Sequence, residues 1–466
     1  MRGRLLDENP GDFIRINPRL HFVNTLSIPA QDTADERARF VRESMPNGGL
    51  FAGHDWRVSP TPFRLGADMV KDLEKLGRVL LQFNKAVNRL YRLSLEGKQP
   101  AWVAAWLDMG KPAELITIQR SAAMKNEWPR VIRPDLLITE NGLSITELDS
   151  VPGGIGLTAW LNQTYSRMGS EVVGGADGML KGFAGIFGDA PTVNIVISDE
   201  SATYRPEMSW LAGQLGEERF KIRDASFTQF ADGDAAYRFF ELFDSPNIAS
   251  AGVLFERALE KRIRLTPPPK PIFEEKMLFA LLWNRNLRDF WRQELGEGFL
   301  NRMLQLVPYS WVVDPAPLPP HGAIPELNLT DWNQLKGLSQ KERELILKVS
   351  GFSPKAWGAR GVYLGNDLSH AEWSQAVDGA LANFGKSPHI LQRYEKPSLV
   401  EFQWFDFQAN QLVAMPGRVR LCPYYFVSGD GDAARANLDG VLATVCPADK
   451  KIIHGMTEAV FAPGAI

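Results

Sequence analysis

At 466 residues the chain exceeds one ordinary hydrophobic core and is expected to divide into two or three domains. Its 44% apolar and 23% charged residues are those of a soluble globular protein, and a net charge of −3 argues against a general nucleic-acid binder, which carries a basic stripe. Neither a secretory signal nor a membrane span is expected, because Met1-Arg-Gly-Arg-Leu-Leu-Asp-Glu lacks an apolar core and no long apolar run occurs.

Residues 62–99 read as one long helix. Met69, Leu73, Leu76, Leu80, Phe83, Val87 and Leu90 recur at steps of four and three and line one face, the pattern of a helix packed in a core. Strand-like stretches follow at 131–138 and 143–149, then a helical stretch at 157–168. The apolar run 192–198 reads as a buried parallel strand, 206–215 as a helix and 220–222 as a second strand, the start of a βαβ pattern. Thr266-Pro-Pro-Pro-Lys-Pro271 gives the clearest linker signal, and a second Pro-rich stretch covers 314–325. Residues 274–306 between them read as one or two helices. Strands resume at 345–349, 361–364, 389–394, 399–407 and 418–427.

Cys422 and Cys446 have no CxxC partner, which excludes a thiolate zinc site. Two such thiols fit a reducing cytoplasm, and both are expected in the core. His21, His54, His321, His370, His389 and His454 show no HExxH or comparable spacing and are expected to be structural.

Two stretches carry chemistry. The first is Arg133-Pro-Asp135, the turn Glu140-Asn141-Gly142, and Glu147-Leu-Asp149. With a three-residue loop, Asp135 faces Glu147 and Arg133 faces Asp149, all on one side of the hairpin. A two-residue turn would send Asp135 to the other face. Three carboxylates so placed repel one another unless a cation offsets them, and oxygen donors of this kind suit Mg²⁺. The bland reading is a solvated hairpin edge.

The second stretch is Lys348-Val-Ser-Gly351-Phe-Ser-Pro-Lys355-Ala-Trp-Gly358-Ala-Arg360-Gly361. A lysine inside the apolar strand at 345–349 is costly unless it meets an anion, and the glycines with Lys355 and Arg360 can lay N–H groups and cations over phosphates. It is not a Walker A loop. Lys386 precedes a strand ending in Gln392-Arg393-Tyr394, an edge suited to presenting backbone groups to an adenine. Arg418 and Arg420 alternate on one strand and share a face suited to phosphate or carboxylate.

Gly154-Ile-Gly156-Leu-Thr-Ala159 also fits the GxGxxA dinucleotide fingerprint, with Asp177 downstream. The preceding strand, however, carries Glu147 and Asp149 where a Rossmann strand is continuously aliphatic. A nicotinamide or flavin enzyme is therefore an alternative of lower weight. A sugar-active enzyme is a further one, since 13 tryptophans could line a glycan groove, but Trp283, Trp291, Trp311 and Trp357 lie in or beside helical or Pro-rich segments that point to core packing.

Arg133-Pro-Asp135, eleven residues, then Glu147-Leu-Asp149 resembles the metal segment of the circularly permuted ATP-grasp proteins, in particular the synthetase part of glutathionylspermidine synthase. That segment reads Arg-x-Asp, eleven residues, Glu-x-Asn, and in the permuted group it precedes the phosphate loop, as here. The resemblance implies an α/β fold with α+β elements: a grasp core, an associated Rossmann-like substrate domain and a helical N-terminal region. Its divisions would fall at 1–110, 111–175, 176–270, 271–340 and 341–466. It further implies ATP and Mg²⁺ as cofactors, with Asp135, Glu147 and Asp149 on the metal and Arg133, with Arg420 or Arg418, at the transferred phosphate. Lys348, Lys355, Gly358, Arg360, Gly361, Lys386, Gln392, Arg393 and Tyr394 would surround the nucleotide. The implied reaction joins a carboxylate to an amine through an acyl phosphate; a nucleotide-binding protein without turnover is the alternative. Asp149 departs from the family's asparagine, the loop after Lys348 is longer, and nothing resembles the amidase half that some members carry.

Overall fold

The computed structural model describes residues 33–50, 55–356, 358, 360–455 and 458–466. His21, His54, Trp357 and the first part of the expected N-terminal helical region lie outside them.

A seven-stranded sheet forms the frame. Its spine is the strand Gln411–Ser428, which pairs along most of its length with Arg435–Pro447. On its other edge the first part of the spine takes Val400–Asp406 and the second part takes the hairpin strand Val131–Thr139. Side chains alternate across the spine. Val419, Leu421, Tyr425 and Val427 enter one core, whereas Cys422, Tyr424 and Phe426 enter another.

The first core is covered by the long helix Ala67–Leu95, whose buried Leu73, Leu76, Leu80, Phe83, Val87 and Leu90 are the periodic stripe legible in the sequence. Gly77 lets it press onto the sheet, since a Cβ there would stand 2.6 Å from Tyr425, and the Tyr425 hydroxyl donates to Leu73 O at 2.6 Å. The second core lies under the helices Ile155–Arg167 and Gly178–Gly185. Phe183 bridges outward, meeting Phe426 of the spine at 6.3 Å and Tyr237 at 5.1 Å between ring centroids.

Tyr237 belongs to a four-stranded parallel sheet ordered Phe220–Asp224, Val193–Ile197, Ala235–Phe239, Arg264–Thr266. Val193–Ile197, apolar but for Asn194, is one of its two buried inner strands, as the apolar run predicts, and Ala235–Phe239 is the other. A third, antiparallel sheet runs Val362–Leu364, Leu345–Val349, His389–Arg393, Ser310–Val312.

The Pro-rich stretch 266–271 is not an exposed linker, since its residues are buried. Lys270 within it donates to Asn88, to Met124 O at 3.0 Å and to Glu127 O at 2.9 Å, which offsets part of the cost of burying its charge; burial still pulls its amine well below the usual lysine range. Trp291 packs in the core, as its place in a helical segment suggests: it is fully buried, stacked on Phe83, and its indole N–H donates to Leu281 O at 2.9 Å. Both cysteines are free and buried, as expected.

Helices Ile155–Arg167 and Arg205–Leu215 cross where Gly156 meets backbone, a Cβ there falling 2.2 Å from Glu207 O. Backbone cannot yield as a side chain does. Gly156→Ala is therefore expected to cost about 3 kcal/mol, read as a lowered denaturation midpoint, whereas Gly252→Ala, with nothing near its Cβ, should leave the midpoint unchanged or higher.

Candidate functional site

The hairpin of Val131–Thr139 and Gly142–Asp149 positions the carboxylates by a route the sequence did not announce. Thr139 pairs with Gly142 and Leu136 with Ile145, so the loop is the two residues Glu140-Asn141, not three. That register alone would set Asp135 opposite Thr146. A β-bulge intervenes: Thr146 is the extra residue, after which Asp135 pairs with Glu147 and Arg133 with Asp149. Leu143, Ile145 and Leu148 consequently meet the core, while Ser144, Glu147 and Asp149 line a cavity.

Charges fill this face. One Arg133 nitrogen lies 3.1 Å from Asp135 and 2.9 Å from Asp149, and another donates to Gly153 O at 3.1 Å. Arg420 reaches the second Asp135 oxygen at 3.0 Å, and the Cys422 thiol donates to the first at 3.4 Å. Burial opposes the Asp135 charge, but Arg133 and Arg420 more than offset it and hold the carboxyl below its usual range. Asp149 goes the other way: burial, reinforced by Glu147 and Asp135, outweighs Arg133 and raises it. Glu147 is the most open of the three, its side chain 36% exposed, and Lys276 Nζ binds it at 2.5 Å.

Lys348 supplies the opposite wall. Its buried Nζ donates to the bulge carbonyl, Thr146 O, at 3.0 Å and to Gln392 Oε1 at 2.8 Å; Gln392 in turn donates to the Ser310 hydroxyl at 3.0 Å. Burial pulls the Lys348 amine down to about 8. The third wall is the C-terminal end of the parallel sheet, with Ser198, Tyr204, Phe239 and Glu241. Burial and the neighbouring Glu274 push Glu241 well above the ordinary carboxylate range. Together these walls enclose a cavity of about 560 Å³.

Of the sequence-expected residues, Arg133, Asp135, Glu147, Asp149, Lys348, Gly358, Gln392, Arg393, Tyr394 and Arg420 line this one cavity. Lys355, Arg360, Gly361, Lys386 and Arg418 do not. Lys355 and Lys386 are exposed, Arg360 pairs with Glu200 at 3.0 Å, and Gly361 O accepts Val349 N–H at 3.1 Å. Arg418 shares the face of Arg420 but donates to Ala448 O and, at 2.9 Å, to Lys450 O. Sequence reasoning missed Lys276 and Glu241. For Lys276 a signal existed, because Glu274-Glu275-Lys276 interrupts an otherwise apolar stretch from Pro271 to Trp283.

The donor set of the hairpin is carboxylate oxygen, which suits Mg²⁺, an ion that takes one or two carboxylates and completes its shell with water and phosphate. Among the described residues, no three His, Cys, Asp or Glu side chains are arranged to hold an ion by themselves. Arg133 and Lys276 engage the carboxylates instead.

Gly154-Ile-Gly156 does open a helix, but the strand before it is antiparallel, and the amides a pyrophosphate would need are taken. Glu207 accepts Gly154 N–H at 2.7 Å and Leu157 N–H at 2.9 Å. The dinucleotide fingerprint is thus a helix start capped by a buried carboxylate. Burial, opposed by those amides, pushes Glu207 up to about 7 from an ordinary 4.5. A raised carboxyl favours the folded state below its unfolded pKa and loses that contribution as pH climbs through the folded value. Wild type should accordingly lose up to about 3 kcal/mol relative to Glu207→Gln between about pH 4.5 and 7, measured as denaturation midpoints across pH; parallel curves would refute this.

No protein-family model and no curated protein matches the chain. Among solved structures, a glutathione synthetase-like effector from Globodera pallida, in apo form, aligns with a TM-score of 0.53 and 10% identity, covering 95% of this chain and 100% of that one. A protein provisionally named gamma-glutamylcysteine synthetase, from Methylobacillus flagellatus KT, aligns at a TM-score of 0.39 and 13% identity over 87% of this chain and 89% of its own, too slight a likeness to carry an argument. What the first comparison establishes is the fold: this mixed α/β chain is similar over its length to a glutathione synthetase-like structure.

Proposed function

We propose that the protein is an ATP-dependent carboxylate–amine ligase of circularly permuted ATP-grasp architecture, resembling the synthetase part of glutathionylspermidine synthase. One observation carries the reading: the Arg133/Asp135/Glu147/Asp149 face and the Lys348/Gln392 wall, about two hundred residues apart in the chain, line the same cavity. The fold shared with a glutathione synthetase-like protein is compatible with it, as an analogy of fold alone. In this reading 111–175 and 341–466 form the grasp core, 176–270 the substrate domain, 271–340 the helical connection and 1–110 a helical N-terminal region.

In the proposed reaction a substrate carboxylate oxygen attacks the γ-phosphorus of ATP, and ADP leaves. The amine of a second substrate then attacks the acyl carbon, a C–N bond forms and phosphate departs. Such chemistry asks for positioning and charge neutralisation more than for a protein nucleophile. Lys348, Gln392 and the edge Arg393-Tyr394 would hold the nucleotide; Arg133 and Arg420 would meet charge developing on the transferred phosphoryl group. Mg²⁺, held through Asp135, Glu147 and Asp149, would supply neutralisation of the phosphate oxygens.

A second reading, ATP binding without turnover, is favoured by one feature: each hairpin carboxylate is already engaged by a protein cation. ADP release measured over a panel of acids and amines separates the two. A ligase releases ADP only with Mg²⁺, ATP and the correct pair present; binding without release on any pair identifies the inert protein. Glu147→Gln should lower release by about 100-fold or more with the fold intact by circular dichroism, and undiminished release would end the metal assignment.

A further inference from the structure

Lys276 lies outside every motif in the sequence, yet it occupies the junction of the site. Its backbone is fixed. Lys276 N–H donates to Ser350 O at 2.8 Å and Met277 N–H to the Ser350 hydroxyl at 2.9 Å, immediately before the loop 351–361. That hydroxyl donates to Glu275, which forms a fully buried ion pair with Lys111 at 2.5 Å. Gly351 presses on the same segment, a Cβ there falling 2.2 Å from Glu274 O. The Lys276 backbone therefore cannot drift, but its side chain spans two partners that belong to different parts of the site. Nζ binds Glu147 of the hairpin at 2.5 Å and donates to Ala356 O of the loop at 2.7 Å.

Both partners face ligands of the proposed reaction. Glu147 is an expected metal donor, and Ala356 sits in the loop expected over the phosphates. With its side chain only 9% exposed, Lys276 has little water to fall back on if either partner leaves. A divalent cation arriving alone must displace Lys276 from Glu147 and leave a buried ammonium without its paired carboxylate, held only by the neutral Ala356 O. A polyphosphate arriving alone must draw Lys276 away and strand a carboxylate. When both arrive, the charges exchange: the metal takes the Glu147 oxygen and Lys276 turns to phosphate oxygen. The charge count is kept, and no buried group is left without a partner.

We propose that Lys276 is a positioning residue that makes divalent metal and nucleotide phosphates bind as a unit, holding Glu147 and the loop carbonyl of Ala356 until both arrive. This rests on the nucleotide reading given above. It carries a reciprocal consequence, since linkage requires metal to strengthen phosphate binding by the same factor that phosphate strengthens metal binding.

The probes are Mn²⁺, followed by its paramagnetic resonance signal, and inorganic tripolyphosphate, followed by calorimetry, each alone and each with the other. In the wild-type chain, either probe is expected to tighten the other by about tenfold or more. Lys276→Met frees Glu147, so Mn²⁺ alone should bind about tenfold tighter than to wild type, and the coupling should fall well below the wild-type value, to the part that direct metal–phosphate coordination supplies. Lys276→Arg retains a cation and should keep the coupling. Glu147→Gln, at a more exposed position, supplies an arm that does not depend on the folding of Lys276→Met: tripolyphosphate alone should bind tighter to it than to wild type. If wild type and Lys276→Met bind Mn²⁺ alike with the same coupling, or if Glu147→Gln leaves tripolyphosphate affinity unchanged, the exchange is wrong while the nucleotide reading survives. If wild type binds neither ATP nor tripolyphosphate in the presence of Mn²⁺, both fail together.

Discussion

One extra residue, Thr146, decides which face of the hairpin carries the site. Side chains in a strand alternate with a period of two, so a shift of one residue exchanges core and cavity for everything beyond it. Before the bulge, Ser144 faces the cavity and Ile145 the core; after it, Glu147 and Asp149 face the cavity and Leu148 the core. A regular ladder would have directed Glu147 and Asp149 into packed aliphatic side chains, where unpaired carboxylates cost several kcal/mol each. The bulge also frees a carbonyl from the ladder, and this is the oxygen that Lys348 takes from the facing sheet. Register and closure of the cavity thus depend on one backbone irregularity.

Around it the charges are arranged so that few stand alone. Arg133 serves Asp135 and Asp149, Arg420 serves Asp135, and Lys276 serves Glu147. Behind this face, Arg238 holds Glu274 at 2.6 Å and Lys111 holds Glu275 at 2.5 Å. Buried pairs of this sort add little net stability, because desolvation consumes most of the Coulombic gain. What they impose is geometry, since losing one partner strands the other. The cavity walls are accordingly stiff where Glu274 and Glu275 lie and adjustable where Glu147 is half open.

The parts of the fold legible in the sequence are those whose signal is local and repetitive. The helix Ala67–Leu95 repeats its stripe over about six turns, from Met69 to Leu90, and Val193–Ile197 is apolar but for Asn194 because both of its faces are covered. Ala235–Phe239 was not legible, since Arg238 interrupts it and its ion pair with Glu274 lies far along the chain. The stretch at 266–271 has the composition of a linker and the burial of a core, and only tertiary contacts distinguish the two. In the site, the residue types of the carboxylate cluster were readable, but its shared face was expected from a three-residue loop the chain does not form, and the bulge that restores that face was not legible because nothing around Thr146 marks it locally. Lys276 was easy to pass over for a related reason: its one signal is the charged break Glu274-Glu275-Lys276 in an apolar stretch, and a lysine beside two glutamates is ordinary on a surface.

The spine Gln411–Ser428 explains how residues from opposite ends of the chain share one cavity. Arg420 pairs with Leu137 across the sheet, a short step from Asp135, so adjacency in the sheet brings a late arginine to an early aspartate. Lys348 arrives by another route, on a strand of the small sheet whose neighbour carries Gln392. Neither contact depends on which segment is synthesised first. A cavity bounded by a sheet face, a facing sheet and the end of a parallel sheet can keep its geometry under any chain order that preserves those pairings. For that reason the order in which the carboxylate and lysine segments occur in the chain carries no weight for or against the chemistry, whereas loss of the Thr146 bulge or of the Arg420–Asp135 pair would bear on the chemistry directly.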